Sequence, residues 1–217
     1  MIVGSPPTPR FGTPPTGLLN GRSHLWRFTR EDVAALARLG IIPEDASTEL
    51  LDGLIVHTDR AARGEDIFRI GKGHRIAVER LSNLRSQLNT HERHVECQQP
   101  LACSEFDEPQ PDFMVVRGKV EDCGEDGPTA ADVFCVIEVA DSSYERDAGV
   151  KLTTYARAGV PQYIILNLRN RTAEVYETPN TTTGTYPPPR IILSDGLLVL
   201  RVGQTQTFSL PLKELLP

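Results

Sequence analysis

Residues 133–140 read VFCVIEVA, an apolar run with one carboxylate, Glu138, near its end. Such a run predicts a central strand covered on both faces. A carboxylate there must be paired, metal-bound or protonated, because an isolated buried charge is too costly. Lys151 stands thirteen residues on, within a segment with helical periodicity, and is placed to reach back toward Glu138. Asp112, preceded by Pro111, opens a second strand-like run, PDFMVVRG. If the two strands are neighbours, two carboxylates meet at one sheet edge. A few hard oxygen ligands that leave water positions open suit Mg²⁺, or Mn²⁺ in its place. A metal ion there lowers the pKa of bound water and stabilises a phosphorane-like transition state, and a nearby lysine positions or helps activate the water.

The elements that must hold these residues are legible around them. Ser142 with Glu145 predicts a capping box, and a helix from about Ser142 to Ala158 that Gly159 and Pro161 stop. On it Asp147, Lys151 and Tyr155 recur every four residues, while Leu152 and Ala156 lie on an adjacent face suited to packing on a sheet. Asp147 either orients the Lys151 ammonium or pairs with it. Tyr155 reads as a packing residue. Upstream, Thr29 with Asp32 caps a short amphipathic helix closed by Gly40, and TELLDGLIVHT carries Asp52-Gly53, a hairpin signal. Residues 62–74 predict a surface loop. Ile76, Leu81, Leu84 and Leu88 mark a helix of about four turns whose other face bears Arg75, Arg80 and Arg85. Strands are predicted over 94–103, 111–118, 132–140, 161–168 and 172–177, with an alternating tail from Arg190 and a helical turn near the end. The fold class is α/β (α+β), with a mixed central sheet flanked by helices, an added N-terminal helix and hairpin, and a C-terminal β extension.

The chain has 217 residues, enough for a single domain over 24–217 behind a Pro/Gly-rich arm over 1–23 that reads as flexible. There is no apolar run of membrane-spanning length and no apolar core to the N-terminus, so no membrane association is expected and the expected location is cytoplasmic. A net charge of −6 argues against a general nucleic-acid coat protein but leaves room for a local basic groove. Cys97, Cys103, Cys123 and Cys135 match no paired zinc pattern, and Cys135 reads as a core residue. The stretch HERHVEC sets His91, His94 and Cys97 three apart. It lacks a fourth ligand and reads as a solvated helix-to-strand junction. No GxSxG elbow frames Ser142 or Ser143, so a serine hydrolase is disfavoured.

The acid, acid and lysine set resembles the PD-(D/E)xK nuclease superfamily. The longer stretch EVADSSYERDAGVKLTTYARAGVPQYIILNL, with TELLDGLIV, His74 and QPDFMVV upstream, resembles the Uma-type branch of restriction endonucleases from about Trp26 to the end. The resemblance implies a restriction-endonuclease-like fold and Mg²⁺- or Mn²⁺-dependent cleavage of DNA. By position it makes Asp112 and Glu138 the metal carboxylates, with Glu49 as an auxiliary acid and metal ligand and His74 as a helix histidine near the site. In the plain motif the lysine falls two residues after the glutamate, where this chain has Ala140; the resemblance moves the amine to Lys151. Gln162 stands where the family more often has glutamate. Cutting two antiparallel strands suits a homodimer. The competing reading is a catalytically silent nuclease-fold module that binds DNA or protein, which Glu138→Ala would distinguish by sparing binding.

Overall fold

The computed structural model describes residues 11–12, 25–43, 46–57, 71–124 and 126–217. Most of the arm over 1–23 and of the loop expected over 62–74 lies outside them. Within the arm, Phe11–Gly12 (β1) pairs antiparallel with Leu25–Trp26 (β2).

Helix α1 (Arg30–Arg38) begins at the expected capping box: Thr29 and Asp32 bond each other's backbone N–H, and Gly40 beyond the helix takes φ +67°. The hairpin of β3 (Thr48–Leu51) and β4 (Leu54–His57) turns at Asp52-Gly53, both with positive φ, as the type I′ turn requires. Gly53 is also needed for space, since a Cβ there would stand 2.6 Å from that of Arg27.

Six strands form the central sheet in the order β10-β9-β8-β7-β6-β5. They are β5 (Arg93–Glu96), β6 (Phe113–Arg117), β7 (Val133–Ala140), β8 (Gln162–Asn167), β9 (Thr172–Glu177) and β10 (Arg190–Leu193). Only β7 and β8 pair in parallel, so the sheet is mixed. A parallel pair needs a crossover; here α4 (Tyr144–Arg146), a π-helical turn (Asp147–Lys151) and α5 (Leu152–Arg157) supply it. All eight residues of β7 are buried, as an apolar run between two covered faces demands.

The period-two alternation of the strands divides the core. Phe113, Val115, Ile137, Val139, Ile164 and Leu166 face one side, where they meet α2 (Lys72–Asn83), α3 (Arg85–Leu88) and the hairpin of β11 (Leu197–Arg201) and β12 (Thr207–Pro211). Met114, Val116, Val136, Ala140, Tyr163 and Ile165 face the other, with Tyr155 and Val160. Glu138 shares this second face by parity with Val136 and Ala140, and that is the face on which the crossover helix lies.

Several expectations change in detail. The helix over 74–88 is two pieces, with Ala77 rather than Ile76 fully buried. The strand expected over 94–103 ends at Glu96, because the chain turns through Gln98 at φ 52°. The crossover helix starts at Tyr144, and no Ser142–Glu145 capping box forms: the nearby Ser143 hydroxyl donates instead to the buried Asp147 carboxylate at 2.6 Å. The tail holds one strand more than expected, β12, ahead of a 3₁₀ turn at Leu212–Glu214. No helix among the described residues is long and apolar enough to cross a membrane. All four cysteines are free thiols.

Candidate active site

Strands β6 and β7 are antiparallel and pair Phe113 with Ile137. One step further along that register, Asp112 stands opposite Glu138. The Val139 N–H donates to Asp112 Oδ2 at 2.9 Å, which ties the acid at the start of β6 to the end of β7. His74, in the first turn of α2, brings Nε2 to 3.1 Å from the same oxygen, and Gln98 Nε2 lies 3.4 Å from Oδ1. Burial acts to raise the Asp112 pKa. The His74 hydrogen bond and charge, the Val139 N–H and Lys151 outweigh it and hold the carboxyl below its ordinary range.

Glu138 is 3% exposed and Lys151 is 2% exposed. Lys151 Nζ donates to Glu138 Oε1 at 2.8 Å and stands 2.6 Å from Glu49 Oε1. Tyr155, one turn further along the helix, donates its hydroxyl to Glu138 Oε1 at 2.8 Å. Glu49 arrives from β3, which docks by paired backbone bonds between Leu50 and Glu108, and its Oε1 accepts the Gln110 N–H at 2.8 Å. The segment that receives Glu49 thus runs directly into Asp112.

Asp147 completes a set of four carboxylates around one ammonium. It is 1% exposed, and one of its oxygens, Oδ1, has no hydrogen-bond partner. It does not stack as an i,i+4 partner of Lys151. The π turn widens the helix between them, a feature that recurs at functional sites. Burial lifts the Asp147 carboxyl, against the pull of Lys151 and the Ser143 hydroxyl. Glu138 is lifted to about 8: burial and the charges of Asp147, Asp112 and Glu49 exceed the attraction of Lys151. Lys151 is held above its ordinary value; burial opposes its charge, but Glu138, Glu49 and Asp147 favour it more strongly.

Of the residues expected from the sequence, Glu49, Lys151 and Glu138 form one chain of direct polar contacts and Asp112 with His74 a second, and the Val139 N–H, next to Glu138, joins the two. Tyr155, which the sequence suggested for packing, joins them through Glu138, and Asp147, which the sequence left either orienting the Lys151 ammonium or pairing with it, adjoins them through Arg146, whose Nε stands 3.9 Å from Glu49 Oε2 and 4.0 Å from Asp147 Oδ1. Their signal was the four-residue spacing with Lys151. Arg80 and Arg85 turn elsewhere, to the Leu216 carbonyl and to Cys97. Gln162 bonds Glu177 and the β11 backbone at the opposite end of β8 from Asn167, away from the carboxylates. A surface cleft lined by Gln162, Glu177, Arg190 and Arg201 lies there too, and is not the carboxylate site.

The donor set fits a hard divalent cation. It offers four carboxyl groups against Lys151 and the Arg146 guanidinium, and Asp147 Oδ1, 4.0 Å from Arg146 Nε, has no hydrogen-bond partner.

A crystal structure described as a putative nuclease belonging to DUF820, from Anabaena variabilis ATCC 29413, superposes with a TM-score of 0.58 at 16% identity, covering 83% of this chain and 96% of that one. That likeness establishes the fold. No curated protein matches the sequence. The family model Uma2, described as "Putative restriction endonuclease", matches residues 34–212, a span that contains all of the carboxylates, the lysine and the histidine. By that match the chain belongs to the Uma2 family.

Proposed function

We propose that this protein is a Mg²⁺- or Mn²⁺-dependent DNA endonuclease with a PD-(D/E)xK-type site. The convergence of Asp112 and Glu138 at one end of the β6–β7 pair, with Lys151 bonded between Glu138 and Glu49, carries this reading. Asp112 and Glu138 would hold the cation, with Glu49 and Asp147 adding negative charge beside it. When bound, the cation supplies an acidified water and charge stabilisation at the phosphoryl group. Lys151 places a fixed positive charge beside Glu138, where it would orient an attacking water and favour the negative charge of a phosphate. His74 and the Val139 N–H keep Asp112 ionised and fix its direction. Tyr155 fixes the direction of Glu138 Oε1 in the same way. A homodimer would present two such sites to antiparallel strands.

The test is cleavage of supercoiled and linear DNA with Mg²⁺ or Mn²⁺, comparing wild type with Asp112→Asn and Glu138→Gln. Cleavage by the wild type that falls by at least about a hundredfold in each variant, with folding retained, supports the reading. DNA binding without cleavage, unchanged by both substitutions, would instead identify a silent nuclease-fold module.

A further inference from the structure

We propose a second metal site, for Zn²⁺, formed by His94, Glu96 and Cys123 and separate from the carboxylate site. His94 and Glu96 are alternate residues of β5, so they project from the same face of the sheet. They pair with Val116 and Met114 of β6, so His94 lies toward the end of that strand away from Asp112, while the partner of Glu96 is two residues from Asp112. Cys123 follows the 3₁₀ turn Val120–Asp122 just after β6. The His94 nitrogen, Glu96 oxygen and Cys123 sulfur offered as ligands all lie within 4.8 Å of one another. Zinc bonds of roughly 2.0–2.3 Å in a tetrahedron set ligand atoms roughly 3.3–3.8 Å apart, so closure requires only a small movement of the turn that carries Cys123.

The hydrogen bonds of His94 fix its ring in the orientation a ligand needs. The ring is 3% exposed. Its Nδ1 stands 2.9 Å from the Gly118 carbonyl, which can only accept, so Nδ1 carries the hydrogen. Its Nε2 is left to face Glu96 Oε1, 3.0 Å away. A proton on Nε2 joins the two in a hydrogen bond, and a metal ion would take that proton's place between the same two atoms. A backbone carbonyl on the far nitrogen is also how metal-bound histidines are commonly oriented. The backbone holds the Gly118 carbonyl in place. Gly118 sits at φ +72°, its N–H donates to the Glu92 carbonyl at 2.7 Å, and an added Cβ would come 2.8 Å from Asp122 Oδ2.

The donor set selects the ion. One nitrogen, one carboxylate and one sulfur suit Zn²⁺ and not Mg²⁺. On binding, Cys123 loses its thiol proton and His94 Nε2 the proton it shares with Glu96, both to solvent, and the S–Zn and N–Zn bonds form. Thiolate and carboxylate then balance the two positive charges, and water completes the four-coordinate shell. His91 and Cys97, the neighbours that the spacing of HERHVEC suggested, are not part of it: His91 is exposed near Glu92, and Cys97 contacts Arg85. The bound ion would staple edge strand β5 to the turn after β6.

The probe is Co²⁺, added to full-length protein first stripped with a chelator. One equivalent should give visible bands of a four-coordinate ion and a thiolate charge-transfer band in the near ultraviolet. Zn²⁺ should abolish both and excess Mg²⁺ should not. Cys123→Ser should remove the charge-transfer band, Cys97→Ser and Cys103→Ser should keep it, and Glu96→Gln should weaken Co²⁺ binding by at least about tenfold. Glu96 is partly exposed, so that variant reads the site without removing a core side chain. Absence of the bands, or a charge-transfer band that survives Cys123→Ser, overturns the proposal. Neither result bears on DNA cleavage, which rests on Asp112 and Glu138.

Discussion

Replacing Lys151 by methionine tests the electrostatics of the carboxylate site most directly. Methionine keeps much of the lysine stem but removes the ammonium that stands 2.8 Å from Glu138 and 2.6 Å from Glu49. Both carboxylates are buried, so water cannot take the place of the ammonium. Breaking a buried ion pair from one side costs about 3–5 kcal/mol. For a chain of this size that lowers the melting temperature by about 6–20 °C. The cost depends on pH with a definite sign. Glu138 is already lifted from 4.5 to about 8 by burial and its acidic neighbours, and Lys151 is the chief influence pulling it down. Without Lys151 the lift increases. A carboxyl with a raised folded-state pKa contributes stability below its unfolded value, and that stability is lost as pH rises through the folded value. The Lys151→Met penalty should therefore be larger at about pH 9 than at about pH 6. Urea unfolding followed by circular dichroism at both pH values measures it. Adding Glu138→Gln and Glu49→Gln should recover most of the loss, because replacing every partner removes the uncompensated charge. A Lys151→Met protein within about 1 kcal/mol of wild type at both pH values, with an unchanged urea slope, would refute the argument, since that is how a solvated surface pair behaves.

Three further outcomes are expected. The wild type should lose stability from mildly acidic pH toward about pH 9, at no more than about 1.4 kcal/mol per pH unit for each group, because Glu138 and Asp147 are both raised; urea midpoints that climb with pH over that range would contradict this. Tyr155→Phe removes a buried donor to Glu138 Oε1 and should cost about 1.5–3 kcal/mol in the same unfolding assay. A variant as stable as wild type would show that the hydroxyl is only packing. Gly53→Ala forces a side chain into φ +75° against Arg27 and should cost at least about 1 kcal/mol, whereas Gly124→Ala, with open space around it, should stay within about 0.5 kcal/mol of wild type; thermal melts of the two variants make the comparison.

How far the sequence reached depended on the range of the interactions involved. Local chemistry was legible. The apolar run around Glu138 announced a buried strand, Asp52-Gly53 announced a hairpin, and Thr29 with Asp32 announced a helix start. These follow from burial, backbone conformation and hydrogen bonds within a few residues. The family resemblance added Glu49 and His74, which no spacing argument could have linked to Asp112, 63 and 38 positions further along the chain. Tertiary structure decided how the polar groups were shared. The Ser142–Glu145 box did not form, because the helix starts one residue later than that box needs, with Ser143 at the N-cap and its hydroxyl turned to the buried Asp147 carboxylate. Asp147 and Lys151 did not pair as helix neighbours, because the crossover helix widens into a π turn between them and Lys151 is drawn to acids from β3 and β7. Likewise His94 takes its partners from Gly118, just beyond β6, and from Glu96 in its own strand, and not from the three-residue spacing that the sequence displays. Sequence spacing thus determines which residues a helix or strand can present. Which charge meets which is settled only when separate elements bury them together and each must find a partner out of water.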